Sequence, residues 1–297
     1  MRLFPIALFV FNRPDHTLRT LKSLSANYLA EDSTLFIYSD GPKKGSSEDE
    51  LRKIEDVRRI IKSQEWCGEV VIKEEDHNHG LASSIIRGVT DIVNTYGGII
   101  VLEDDLVTSK GFLSFINEIM NLYENQSEIA SVTGYIEPIK SRSNSFSFCQ
   151  KGSSWGWGTW KRDWNEVNFN IDQLIAELNS ENRNSFDFAG YPYFQMLQRQ
   201  KHSAIDSWAI RYYASCFVRG KMHIVPNKSL VRNIGFDGTG IHCGISDALM
   251  NQEITDAILV EYKEPELDPT IEKKIRQLIR RRKMKYRFNS ILRRIVS

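Results

Sequence analysis

No two cysteines in this chain are spaced to share a metal. Cys67, Cys149, Cys216 and Cys243 are scattered over 297 residues, with no CxxC pair and no Cys/His spacing of a structural zinc site. So few cysteines in a chain of this size read as reduced thiols in a cytosolic compartment. Long apolar runs are missing as well, and nothing approaches the roughly 20 residues that cross a bilayer. Leu3 to Phe11 is apolar but short and interrupted by Pro5. It runs straight into Asn12-Arg13-Pro14 without a small-residue cleavage site. These features fit a buried first strand and not a signal peptide. Repeats and low-complexity linkers are also absent, which favours one compact unit over residues 1–265.

Charge is scarce only in the total. The net value of +1 conceals a tail, residues 273–297, with eleven Lys plus Arg and no acid, so the rest of the chain carries −10. An acidic body argues against a nucleic-acid binder, which presents its positive charge on a folded surface. Within the tail, Ile275, Leu278 and Ile279, then Met284, Phe288, Ile291, Leu292 and Ile295, recur at helical spacing with basic residues between them. Such helices lie on anionic membrane surfaces, where each Lys or Arg contributes about 1 kcal/mol. Residues 266–297 are therefore expected to form a basic amphipathic helix, either contacting the inner face of the cell membrane peripherally or packed on the body.

The body, with 41% hydrophobic and 26% charged residues, has an ordinary globular composition. Pro5–Phe11, Thr34–Ser39, Glu69–Lys73 and Gly98–Leu102 are continuous apolar runs, as buried parallel strands require. Helical patterns alternate with them at Asp15–Leu24, Asp49–Ile61 and Leu81–Tyr96. Strand and helix in alternation imply an α/β fold with helices on both faces of the sheet. Further on, Phe112–Tyr123 reads as a helix, Ala130–Tyr135 as a strand, Asp206–Val218 as a helix and Met222–Val225 as a strand. Arg232–Ile245 reads as a Gly-rich loop.

Polar residues gather where the expected strands end. Asn12-Arg13, Asp40-Gly41 and Glu103-Asp104-Asp105 follow strands one, two and four, and His77-Asn78-His79-Gly80 lies just past strand three. In open α/β sheets the ligand crevice lies outside those carboxyl ends. Strand alternation would send Glu103 and Asp105 to one side and Asp104 to the other. Three acids together repel unless a cation sits among them. Mg²⁺ or Mn²⁺ is held by one or two carboxylates plus phosphate oxygens. A solvated acidic loop or a helix cap is the alternative.

Val101-Leu-Glu-Asp-Asp-Leu106 resembles the DxD-type motif of GT-A glycosyltransferases. It is similar in particular to the EDD form of Golgi N-acetylglucosaminyltransferases and of bacterial family 2-like transferases. The likeness extends, in order, through Phe11-Asn-Arg-Pro14, Tyr38-Ser-Asp-Gly-Pro42, Asn78-His-Gly-Leu81, Ser154-Trp-Gly-Trp-Gly-Thr-Trp160 and Leu230-Val-Arg-Asn-Ile-Gly235. It implies a GT-A (Rossmann-like) mixed sheet, with residues 1–108 binding a nucleotide sugar and 109–265 an acceptor. The implied reaction is metal-dependent transfer from a nucleotide diphosphate donor, with UDP the expected carrier, to a glycan or lipid-linked hydroxyl during cell-surface polysaccharide assembly.

The resemblance also implies roles. Asp105 would hold Mn²⁺ or Mg²⁺, Asp104 the ribose, and Glu103 the cluster or the donor sugar. Asp40 would read the base, and Arg13 would pair with phosphate or ribose or else brace the acids. Phe11, Asn78 and Ser84 would complete the nucleotide pocket. Asp206, in Ile205-Asp-Ser-Trp-Ala209, matches the acid-Trp element that carries the base of inverting enzymes, although Ser207 stands where they show a second acid. Asp206 as a helix cap is the bland reading. His242 would be a further metal ligand, or a surface histidine. His77 and His79 read as turn residues. Trp155 and Trp157 are expected on the acceptor side, with core packing as the alternative. Two other classes remain: a nucleotidyltransferase, although Phe11-Asn-Arg-Pro14 lacks that class's Gly-rich basic loop, and a non-catalytic glycan-binding or membrane scaffold protein.

Overall fold

The computed structural model describes residues 1–238 and 247–296, and the side chains of residues 1–238 and 249–284. The first half alternates β1 (Ile6–Val10), α1 (Pro14–Ser25), β2 (Thr34–Ser39), α2 (Glu48–Ile61), β3 (Glu69–Glu74), α3 (Leu81–Tyr96) and β4 (Gly98–Glu103). Local chemistry sets the boundaries. Pro14 opens α1, the Ser47 side chain caps α2 by accepting from Glu50 N, and Gly97 ends α3 in the left-handed region. After β5 (Leu106–Thr108) and α4 (Phe112–Leu122) come β6 (Ile129–Thr133), β7 (Phe146–Cys149) and β8 (Trp157–Trp160). Next are α5 (Lys161–Trp164), α6 (Ile171–Glu177), α7 (Arg183–Phe186), α8 (Tyr193–Lys201) and α9 (Trp208–Val218). The chain continues through β9 (Met222–Pro226), β10 (Val231–Asn233), α10 (Asp247–Met250) and α11 (Pro269–Val296).

Eight strands form one mixed sheet in the order β3-β2-β1-β4-β8-β6-β9-β7. The four N-terminal strands are parallel, β8 runs antiparallel between β4 and β6, and β9 is parallel to β6. Alternation divides β1 between two apolar layers: Ile6, Leu8 and Val10 face α1, α2 and α4, while Ala7 and Phe9 face α3 and α9. The expected α/β sheet with helices on both faces is present.

Four strands differ from expectation, β5 (Leu106–Thr108) among them. Phe146–Cys149 and Trp157–Trp160 are sheet strands that the sequence pattern conceals. Val231–Asn233, read as loop, pairs antiparallel with β5 in a two-stranded ribbon. The helix expected from Asp206 begins at Trp208. In α11, Ile271 and Ile275 are buried against Ile136, Cys149 and Phe188, and Arg282 pairs with Glu137 at 2.6 Å. The N-terminal turns of the tail helix are thus packed on the body. No described helix is long and apolar enough to cross a membrane.

Candidate functional site

The acids at the end of β4 form one cluster, because the chain turns at Asp104-Asp105. The turn corrects the alternating arrangement expected of a continuing strand. Both aspartates reach the same guanidinium nitrogen, Arg13 Nη1, at 3.5 Å from Asp104 Oδ1 and 3.0 Å from Asp105 Oδ2. Arg13 comes from the turn between β1 and α1, so β1–β4 pairing brings it to the acids. Asn233 Nδ2 donates to Asp105 Oδ1 at 3.3 Å, and Ile234 N donates to the Asp105 carbonyl at 2.8 Å. Gly235 approaches so closely that a Cβ there would collide with Asp105 Oδ2. His16, on the first turn of α1, lies 3.1 Å from Asp237 on the same loop. The sequence signal for this support was Leu230–Gly235, although neither Asn233 nor Gly235 is expected at the site individually.

The cluster holds more negative charge than Arg13 neutralises. Burial, reinforced by Asp105 and Asp104, pushes Glu103 up to about 8. Burial and Asp105 push Asp104 up to about 7. Two carboxylates converging on one point, with charge left over, suit a hard divalent cation completed by phosphate oxygens. The described residues include no group of three side chains able to hold a metal by themselves. A cation here therefore fits as a partner of a bound diphosphate and not as a caged ion. His242, expected as a further ligand, lies outside the described residues.

Asp40, expected to read the base, is engaged within the protein. Its Oδ1 accepts from Gly41 N and His79 N, at 3.0 and 2.9 Å, and its Oδ2 from Asn78 Nδ2 and Gly80 N, at 2.9 and 3.0 Å. These four hydrogen bonds occupy both oxygens of a buried carboxylate. It pins the loop between β3 and α3 onto the end of β2, and Asn78 belongs to the same latch through Gly41 O. Gly41 is required by close approach, since a Cβ would meet the backbone of Glu75 and His77. Beside the latch, the hydroxyls of Ser39 and Ser84 are buried without a hydrogen-bond partner among the described residues. Phe11 is half-buried, with Lys43 Nζ 5.6 Å from its ring centre. His77 and His79 sit on this loop with ring centres 4.3 Å apart.

On the other side of β4, a cavity of about 270 Å³ opens among β6, β8, α9 and α11. Trp155 and Trp157 both line it. Trp157 is 1% exposed, stacked on Trp208 at 5.1 Å, and thus serves as core and cavity wall together. Trp155 packs edge-on against Tyr135 and against Phe236, whose loop also carries Asn233 and Gly235. The loop that supports Asp105 therefore reaches the aromatic wall as well. Asp206 is exposed just before α9 and meets Arg211 Nη2 at 3.2 Å. It is not the cap of that helix: Ser207 is, its hydroxyl accepting from Ile210 N. Ser207 and Trp208 border the cavity, which leaves Asp206 at its edge and its carboxylate facing solvent.

No protein-family model and no curated protein matches the sequence. Among solved structures, S. aureus TarS 1–349 is similar over 80% of this chain and 62% of that one, with 10% identity and a TM-score of 0.42. A second S. aureus TarS structure is similar over 77% and 36%, at 11% identity and a TM-score of 0.37. Mouse xyloside xylosyltransferase 1, in its apo form, is similar over 72% and 81%, at 10% identity and a TM-score of 0.35. The chain spans less than two thirds of the length of either S. aureus structure. Likenesses this distant carry no functional weight, and what the chain does is read from its site.

Proposed function

We propose that this protein is a glycosyltransferase of the GT-A kind, moving a sugar from a nucleotide diphosphate to a glycan or lipid-linked hydroxyl. The observation that supports this most directly is the under-neutralised pair Asp104 and Asp105, placed with Arg13 at the carboxyl end of a parallel sheet. A nucleoside diphosphate binds at such an end, where sheet topology leaves a crevice. The aromatic cavity across β4 supplies a separate place for an acceptor.

In this reading Asp104 and Asp105 would hold Mn²⁺ or Mg²⁺, which would supply Lewis-acid stabilisation of charge on the departing diphosphate. Arg13 draws the two carboxylates together and adds positive charge beside the phosphates. Ser84 offers its hydroxyl to the nucleoside, and the Asp40 latch shapes the wall it belongs to. Asp206 acts as base, taking the proton of the acceptor hydroxyl as the new glycosidic C–O bond forms. The bond from the sugar carbon to the diphosphate breaks, and its electron pair leaves with the diphosphate. This is single displacement with inversion. The basic tail holds the enzyme peripherally at the inner face of the membrane.

Calorimetric titration of UDP, GDP and CMP, with and without Mn²⁺, tests the donor half. One nucleotide is expected to bind in the presence of metal, and Asp105→Ala is expected to abolish that binding. No nucleotide binding under either condition would refute the reading.

A further inference from the structure

The aromatic cavity contains polar groups that its own walls leave unsatisfied. Among the described residues, the Trp157 indole Nε1 and His223 Nε2 are buried without a hydrogen-bond partner, and the buried Tyr135 hydroxyl has the Glu137 carboxylate beside it. Their residues are 1%, 2% and 5% exposed. Buried polar atoms are paired in the great majority of cases. Two unpaired ones on residues that line one cavity, with a tyrosine hydroxyl beside them, mark a wall suited to a polar ligand. His223 holds Ser131 Oγ at 2.7 Å through Nδ1, so its Nε2 edge is fixed in place. Burial and the charge of Lys151 push the imidazole down to about 3, which keeps it neutral.

Lys151 adds a charge. It borders the cavity, and for that reason keeps some accessible surface, yet it lies deep enough that burial lowers its pKa. Its Nζ donates to Gly152 O at 3.0 Å and sits 5.4 and 5.9 Å from the ring centres of Tyr193 and Tyr213. Glu137, the carboxylate whose field it feels, is already paired with Arg282 at 2.6 Å. Buried charges are ordinarily paired directly. Lys151 is half-buried beside two aromatic rings and makes no salt bridge to a described carboxylate, so an anion in the cavity would complete it.

We infer that this cavity receives a sugar ring bearing an acidic group, a carboxylate or a phosphate ester, with the acid on Lys151. The ring hydroxyls meet Trp157, His223 and Tyr135, and the apolar ring face lies on the aromatic wall. The volume is close to the lower end of ligand sites, about 300 Å³, and suits a single ring more than an extended chain. The inference rests on the reading of the chain as a glycosyltransferase and specifies its acceptor as an acidic glycan.

The test is a fluorescence and calorimetric titration of the full chain with glucuronic acid, N-acetylglucosamine 1-phosphate and glucose. Acetate and inorganic phosphate serve as controls. One acidic sugar is expected to bind at least tenfold more tightly than glucose, since a hydrogen bond to a charged group contributes about 1.5–3 kcal/mol. Which sugar does so separates carboxylate from phosphate. Lys151→Met should abolish the preference and leave UDP binding unchanged. If that variant does not fold, the unsubstituted protein still decides: an indole N–H resonance among the six tryptophans must shift with acidic sugar and not with the control anions. Equal binding of glucose and acidic sugars, or a preference that survives Lys151→Met, would overturn the inference. Failure of every sugar while UDP still binds overturns it alone, whereas failure of both sugar and nucleotide removes the proposed function too.

Discussion

The four-way latch on Asp40 separates a structural role from a ligand-reading one. In Asp40→Asn one carboxylate oxygen becomes an NH₂ group. Whichever way the amide turns, that group faces two donors: Asn78 Nδ2 with Gly80 N, or Gly41 N with His79 N. Two hydrogen bonds to a charged acceptor are lost, at about 1.5–3 kcal/mol each. Loop relaxation recovers part of this, leaving a loss of about 3 kcal/mol. At roughly 2–4 °C per kcal/mol for a domain of this size, the melting temperature should fall by about 6–12 °C. Thermal unfolding followed by circular dichroism measures it, alongside a UDP titration well below the transition. Nucleotide affinity should weaken only modestly, through looser support for the pocket wall. A melting temperature held within about 1 °C, combined with lost UDP binding, would refute the latch and restore Asp40 as a base reader.

Gly235→Ala should weaken metal-dependent nucleotide binding by tenfold or more with little change in melting temperature, because its Cβ would displace Asp105 Oδ2 at the rim; calorimetry reads it. Asp163, 1% exposed, lies beside Arg162 and is 3.3 Å from Lys221. Asp163→Asn should cost about 1–3 kcal/mol in chemical denaturation by removing the buried carboxylate that half-buried Arg162 and Lys221 share. His223 titrates at about 3 when folded against 6.5 ordinarily. The unfolded chain therefore takes up that proton first, and the contribution of His223 is complete above pH 6.5 and lost as pH falls towards 3. His223→Gln should flatten the stability profile across that window, and an unchanged slope would show that other groups govern acid unfolding.

The first half of the fold is legible because its strands are buried on both faces and its helices are capped locally. Thr34–Ser39 and Leu81–Tyr96 fall where periodicity places them. Strand β8 escapes because Trp157-Gly-Thr-Trp160 alternates bulk and glycine with no polar face. Its edges are set by β4 and β6, which are distant in sequence. The acid cluster is visible from its place after an apolar run. The turn that brings Asp104 and Asp105 together on Arg13 is not, since alternation holds only while the strand continues. Asp40 is recognisable as important, but its purpose depends on two backbone amides nearly forty residues away. Lys151, His223 and Tyr135 give no local signal, because only the sheet order gathers them.

Strand β8 pairs with β4 at Val101↔Trp157, two residues before Glu103. One ladder thus bears the acid cluster at a strand end and the aromatic wall on the neighbouring strand. On the proposed reading, the separation of donor and acceptor is set by backbone hydrogen bonds and not by loops. Slipping that ladder by one residue would turn Trp157 to the opposite face, so small drifts in spacing are not available to it. Side chains around the cavity can be exchanged to accommodate a different acceptor while the reach from donor to acceptor stays constant. In such a scaffold specificity is free to diverge and geometry is inherited.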